Sequence, residues 1–391
     1  MQAKAGNSGS AVSGLRNWRP WAGRVPISRR SLLHDRIRFT ISVGGMGFAV
    51  VLVLLLRGIM DGTVAKSTTY IDRVGADVFV SSAGVRNMSL ASSALPEAMA
   101  EQARATSGVA DAGGIVRMEV MASKGEAARP AVMVGYSPGH IGGPWKLASG
   151  RGVERDGEAV VDSVLAGQLG LSEGGTFGIA DSTFTVVGRS TETTAIAGKL
   201  VFVSLGDAQA TLRMPGLVTF VLLRLQPGEV AEPFVARLAQ AAPETTVQTR
   251  ESLSNNDREV LGGLFIAPVN VMSTAGLLVG LAIVGLTMYT TTTERLRDFG
   301  VLKAIGASNA YLFRTVLVQA LVLALLSFVA GVAIVLVATP IVERWEPDIG
   351  VDVGAAQAGI ALAEVLAMSF LGAILPLARI LRVDPLEAFR R

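Results

Sequence analysis

The chain has 391 residues, half of them hydrophobic, and its mean hydropathy is positive. That is too apolar for an ordinary soluble protein, yet it leaves many residues outside any membrane segment. A net charge of only +3 gives no reason to expect a nucleic-acid partner, and the absence of cysteine excludes disulfides and thiolate metal sites.

Residues 1–38 read as a cytoplasmic tail. Met1 to about Pro26 is rich in Gly, Ser and Ala and predicts disorder. From Ile27 to Arg38, arginines alternate with Ile27, Leu32, Leu33 and Ile37, which suits a short helix on an anionic membrane surface. A plain basic flank on the cytoplasmic side is the other reading, and both place the N-terminus inside. Residues 39–57 follow as the first span, apolar from Phe39 to Leu56 and closed by Arg57. A cleaved signal peptide fits less well, because the tail is long and no small-residue cleavage site follows.

Residues 58–262 change in composition and form a water-soluble block of about 200 residues, the size of one or two small domains. Short β-type runs (76–82, 114–122, 131–136, 176–179, 184–187, 200–203, 218–225) alternate with helical stretches (96–105, 162–169, 205–212, 233–242), which predicts an α+β domain. Glu158 to Gly175 reads as strand, helix, glycine stop and turn into a hairpin. Asp162 and Ser163 have no accompanying histidine, so Asp162 reads as a helix cap. His34 and His140 lie far apart, and each reads as a surface side chain.

Three more spans are expected at 263–290, 311–342 and 355–378. The loop 343–354 is mostly acidic and the tail 379–391 mostly basic, which puts that loop outside and both termini inside. Trp345 suits the outer interfacial belt. The fold expected is an α-helical membrane protein with four transmembrane helices and an extracytoplasmic α+β domain inserted between the first and second.

Between the second and third spans, residues 291–310 are short and charged. Arg295, Arg297 and Lys303 place them in the cytoplasm. Gly300 weakens a helical pattern, Gly306 reads as a helix C′ stop, and Ser308 or Asn309 offers the next N-cap. Leu296, Phe299, Leu302 and Ile305 recur every third position, a spacing that drifts around a helix and suggests contacts on more than one side. This stretch reads as a coupling helix gripped by something else, with the basic tail ending at Arg391 as one neighbour. Gly276 and Gly280 form a Gly-x-x-x-Gly pair for close helix packing, either within the chain or at a dimer face. Glu364 lies well inside the fourth span, where a carboxylate needs a partner or a function. Pairing with Gln319 of the third span is one account; a substrate or proton role is the other. No phosphate-binding Gly-x-x-x-x-Gly-Lys-Ser/Thr occurs, so any nucleotide must bind another polypeptide. No residue constellation supports a membrane enzyme.

The run Glu294-Arg-Leu-Arg-Asp-Phe-Gly-Val-Leu-Lys-Ala-Ile-Gly-Ala-Ser308 resembles the intracellular signature of the FtsX-like permease family of ABC transporters. Asp298 stands where that signature has Glu, and Phe299 takes the apolar position. Asp384-Pro-Leu-Glu-Ala-Phe-Arg390 is similar to the family's closing motif, with Phe389 for Leu. The block 158–175 and Phe184–Gly188 are similar to the external domain of macrolide-exporter and lipoprotein-release relatives. The resemblance implies a permease without its own ATPase motifs in the bacterial cytoplasmic membrane. It implies no directly bound cofactor, with ATP and Mg on a separate ABC ATPase subunit. Glu294, Arg295, Arg297, Asp298, Phe299, Gly300, Leu302, Lys303, Ile305 and Gly306 would dock on that ATPase. A second permease copy, a periplasmic adaptor and membrane lipids are the other partners implied. Gly58–Lys66, Ala76–Ser82 and Val132–Pro138 look like glycolipid-exporter or haem-exporter permeases, with Met60 and Tyr70 placed for axial ligation if haem is the cargo. Two functions follow: export or extraction of an amphipathic molecule, or a transmembrane actuator that switches an external partner such as a cell-wall hydrolase. The size of the external block favours transport. Aspartate at Leu302 or Ile305 is expected to release the ATPase.

Overall fold

The computed structural model describes residues 36–195, 198–345 and 350–381. The expected N-terminal surface helix up to residue 35, His34 and the closing motif at 384–390 lie outside them. Among the described residues, four helices are long and apolar enough to cross a membrane, within Phe39–Ser67, Arg250–Glu294, Asn309–Val342 and Ala355–Ala378. They belong to α1 (Arg36–Ser67), α7 (Arg250–Glu294), α9 (Asn309–Trp345) and α10 (Ala355–Leu381). The first and second of them flank the inserted domain.

Two helices differ from their expected bounds. The helix that carries the first span, α1, runs on past Arg57 to Ser67, and Arg57 pairs with Glu364 of α10. α7 starts at Arg250, inside the block expected to be soluble up to residue 262. Thr249 caps it by accepting a hydrogen bond from Ser252 N at 3.2 Å. A bilayer core needs only about 20 helical residues, so the 45 residues of α7 reach well beyond one.

Within the inserted domain a short helix, α2 (Thr69–Arg73), follows α1. Then come β1 (Val78–Ser82), β2 (Leu95–Pro96), α3 (Ala98–Arg104), β3 (Val109–Lys124), β4 (Ala127–Tyr136) and β5 (Leu147–Gly150). β6 (Glu158–Asp162), α4 (Ser163–Gln168), β7 (Thr176–Ile179), β8 (Ser182–Ser190), β9 (Thr194–Ala195) and β10 (Gly198–Ser204) continue the chain. The rest is α5 (Leu205–Leu212), β11 (Leu217–Val218), β12 (Phe220–Leu225), α6 (Ala231–Ala241) and β13 (Thr245–Thr249). The main sheet runs β13-β1-β12-β3-β4-β10-β6-β8-β5, with β7 and β9 attached at its side. β10 is parallel to β4 and β6 to β8; the other pairings are antiparallel.

Alternation explains how one sheet serves two cores. Val201 and Val203 of β10 join a cluster with Met133, Leu165, Phe184 and Phe234, whereas Leu200 and Phe202 point to the opposite face with Tyr70, Phe79, Tyr136 and Leu253. The second cluster matters for function. It contains Tyr70 and Ile71 of α2 and Leu253 of α7, so both chain segments that leave the membrane bundle are anchored in the domain core.

The bundle core unites Met46 and Leu54 of α1, Val284 and Met288 of α7, Val316 and Leu323 of α9, and Val365 and Met368 of α10. Its crossings are made at glycines. A Cβ on Gly331 would fall 2.7 Å from Val50, and one on Gly372 would fall 2.6 Å from Val284.

Candidate functional site

Between α7 and α9 lies α8 (Leu296–Ala304). Its start is a chain turn in which Arg295 N donates to Thr292 O at 3.2 Å. Asp298 occupies the first turn and Lys303 the last, each favourably placed against the helix dipole. Its end is a Schellman arrangement: Ala307 N donates to Leu302 O at 2.9 Å and Gly306 N to Lys303 O at 3.1 Å. Gly306 takes φ +98°, a conformation that an L side chain resists. Ser308 Oγ then accepts from Tyr311 N at 3.3 Å and starts α9.

The helix has two unlike faces. Phe299 and Gly300 are buried, Phe299 belongs to the bundle core, and Leu302 packs partly against that core. Arg297, Asp298, Val301 and Ile305 are exposed, as are Glu294 before the helix and Gly306 after it. Ile305, at 76% exposure, stands free of the bundle. Arg297, Val301 and Ile305 recur at four-residue spacing and so line one stripe. Leu302 therefore does not share the outward role of Ile305, because its side chain supports the membrane core. Val301 was missed by sequence reasoning; only the burial of Phe299 and Leu302 reveals which way it faces. Arg295 and Lys303 are half-buried between the faces.

Gly276 and Gly280 make close contacts within the chain. A Cβ on Gly276 would sit 2.7 Å from Leu52 of α1; one on Gly280 would sit 2.7 Å from Met368 of α10 and 3.1 Å from Ala49 of α1. These contacts serve packing within the chain, and Gly276 also lines an apolar surface cavity with Phe48, Leu52, Met272 and Val279.

Glu364 does not pair with Gln319. Arg57 Nη2 donates to Glu364 Oε1 at 2.6 Å, linking α1 to α10. Ser369 Oγ donates to Ala320 O at 2.6 Å, which sets Gln319 level with residues deeper along α10 than Glu364. Gln319 is itself buried among the helices. Gln357 Nε2 donates to Asp61 Oδ2 at 2.7 Å and Asp352 N to Gly58 O at 2.9 Å, extending the α1–α10 seam toward the domain. A Cβ on Gly62 would lie 2.4 Å from Gly350, so the glycines let the α9–α10 loop lie directly on α1.

In the inserted domain, Asp162 caps α4 by accepting from Val164 N at 2.9 Å and also accepts from Thr193 Oγ1 at 2.6 Å. His140 Nδ1 lies 2.8 Å from Asp111 Oδ1. Tyr70 is not available as an axial ligand: it is 2% exposed, donates to Gly142 O at 2.9 Å, and burial pushes its phenol well above the usual range. Met60 is half-buried on α1. No cluster of three metal-ligating side chains occurs among the described residues.

The fold defines a multi-pass membrane protein with a mixed-sheet domain carried between its first two spans and a short helix between the next two. Residues 39–241 match the MacB-like periplasmic core domain, and residues 270–385 match the FtsX-like permease C-terminal family. The chain belongs to these families and is an ABC transporter permease of the MacB/FtsX type. It is 26% identical over 364 residues to an uncharacterized ABC transporter permease of Mycobacterium tuberculosis strain H37Rv, covering 92% of this chain and 97% of that protein. It is 25% identical over 362 residues to another from Mycobacterium bovis, again with 92% and 97% coverage. The periplasmic region of MacB from Actinobacillus actinomycetemcomitans aligns over 47% of this chain and 94% of its own, at 11% identity and a TM-score of 0.38.

Proposed function

We propose that this chain is the transmembrane subunit of an ATP-driven exporter that extracts an amphipathic substrate, in the class of lipid, glycolipid, haem or drug. A separate ABC ATPase, carrying ATP and Mg, grips the exposed stripe of α8. A second permease copy completes the transporter, and a periplasmic adaptor receives the substrate. The protein sits in the bacterial cytoplasmic membrane with both termini inside, α8 in the cytoplasm and the inserted domain outside.

One observation carries this reading. α7 runs without interruption from Arg250 in the inserted domain to Glu294 beside α8. A push on α8 therefore reaches the domain through a single helix. Arg295, Arg297 and Lys303 at that end support a cytoplasmic location. The exposed Val301 and Ile305 supply an apolar contact flanked by charge.

The test separates docking from folding. Ile305→Asp and Val301→Asp change exposed positions, where substitutions usually shift stability by no more than about 0.5 kcal/mol. Each is expected to abolish co-purification of the ATPase and substrate-stimulated hydrolysis while the permease keeps its melting temperature. Leu302→Asp, aimed at the bundle core, is expected to destabilise the permease itself. Retention of the ATPase by both exposed-site variants would refute the docking face.

A further inference from the structure

The burial pattern of α7 divides it into two buried segments and a less buried one between them. Near the top, Leu253, Ser254, Asp257 and Leu261 are buried, Leu253 in the domain core and Asp257 against the loop after β1. Near the bottom, Ser273, Gly276, Gly280, Val284, Met288 and Thr292 are buried against the bundle. From 262 to 272 no residue is fully buried: Gly262, Phe265 and Val269 are half-buried, and Leu264, Ile266 and Val271 are each more than half exposed.

This less buried stretch also holds the residues of α7 least suited to a helix. Gly262 and Gly263 stand together at its start, and a Cβ on either would meet nothing within 4 Å. Neither has a positive φ. Close packing and special backbone conformation, the two usual reasons for glycine, are therefore absent within the chain. What remains is the lower helical stability of glycine relative to alanine. Pro268 follows within the same stretch and lacks the N–H that a helix would direct to the carbonyl of Leu264.

The second connection between bundle and domain also breaks at this level. α1 ends at Ser67, Thr68 leaves the helical path (φ −90°, ψ 2°), and α2 begins at Thr69 as part of the domain core. At Thr68, about one helical turn above Gly262, the two legs are tied together. Arg258 Nη2 of α7 donates to Thr68 Oγ1 at 3.0 Å and to Asp72 Oδ2 at 2.8 Å. Asp257, fully buried, accepts from Met88 N at 2.7 Å, Ser89 N at 3.0 Å and Ser89 Oγ at 2.6 Å, which fastens the top of α7 to the loop after β1. Arg117 Nη1 in turn donates to Met88 O at 3.2 Å, holding that loop on β3.

We propose that Gly262–Gly263 of α7 and the end of α1 at Ser67 form a joint on which the inserted domain tilts over the membrane bundle, with Thr68, Asp257 and Arg258 as the positioning residues that make everything above it move as one body. Motion at α8 then reaches the domain as a tilt and not as a simple piston stroke. The proposal rests on the permease reading for what drives the tilt, but the joint itself is testable without an ATPase.

The chain has no cysteine, so spin labels can be placed at Val230→Cys on the domain and Leu278→Cys on the bundle, both at exposed positions. Pulsed electron–electron distance measurements on the full chain in lipid nanodiscs report the spread of tilts. The parent chain is expected to give a broad distribution. G262A/G263A, which strengthens the helix and meets no steric obstacle, is expected to lose the broad component without loss of folding. Adding Leu264→Gly and Phe265→Gly to that variant moves the weak point and is expected to restore the breadth. An unchanged distribution in G262A/G263A overturns the joint. So does the outcome in which the alanines change nothing while Gly262→Leu blocks association of two copies, since the glycines would then serve a close approach between chains. If the widths behave as expected but no ATPase associates, the joint stands and the transporter reading falls.

Discussion

Removing one partner of the Arg57–Glu364 pair tests what holds α1 against α10. The donor and acceptor are 2.6 Å apart, and the two side chains retain only 21% and 19% of their exposure. Glu364 Oε2 is buried and has no hydrogen-bond partner, so Arg57→Met leaves the whole carboxylate unmatched. Losing one member of a fully buried ion pair costs about 3–5 kcal/mol, and a hydrogen bond to a charged group is worth about 1.5–3 kcal/mol. Two effects reduce those figures here: a fifth of each side chain remains accessible, and side-chain hydrogen bonds between membrane helices average about 0.6 kcal/mol, with a maximum near 1.7. A coupling of about 1–2 kcal/mol is therefore expected. The assay is a double-mutant cycle of Arg57→Met, Glu364→Met and R57M/E364M, read by reversible unfolding in bicelles. The single variants should each be destabilised, and the double variant should be better than their sum by that coupling. If the three values add within about 0.5 kcal/mol, the pair contributes nothing as a pair and the seam is held by its glycine contacts instead.

Gly280→Leu should destabilise the bundle by about 1–3 kcal/mol, because overpacking drives side chains off their rotamers; Met368 and Ala49 stand in the way. Met368→Ala in the same chain should recover part of the loss, and a melting temperature unmoved by Gly280→Leu would contradict the crossing. In the inserted domain, the Arg151 guanidinium bonds to Glu158 and lowers its pKa to about 2, helped by the amides of Glu154 and Arg155. A carboxylate with a depressed folded-state pKa stabilises the fold above its ordinary value near 4.5 and loses that contribution as pH falls toward 2. Arg151→Ala should flatten the acid limb of the domain's stability curve between those values, and an unchanged limb would show that the pair is inert.

Chain patterning carried a great deal on its own. Apolar runs of membrane length, the shift to alternating short runs after Arg57, and Gly306 at the end of α8 are all local signals. Each depends on spacing along one segment, where 3.6- and 2-residue periods leave a readable trace. The helix over 205–212 and the strand over 176–179 were legible for the same reason. The short helix between the second and third spans was legible too, because charge between two apolar runs has nowhere to sit but water.

What only the tertiary structure decided concerns partners chosen across the chain. Periodicity does not say that Arg57 meets Glu364, since depth along two antiparallel helices depends on how glycines and side chains interlock. Nor does it distinguish Leu302 from Ile305: both are apolar in one short helix, and only the bundle core beneath identifies the inward one. The extension of α7 beyond the membrane-length run has a related reason. Residues 250–261 are polar enough to read as soluble chain, yet Leu253 and Asp257 are drawn onto the domain, which extends the membrane helix into it. Local patterns follow from the geometry of a single element, whereas burial and pairing depend on which surfaces the whole chain brings together.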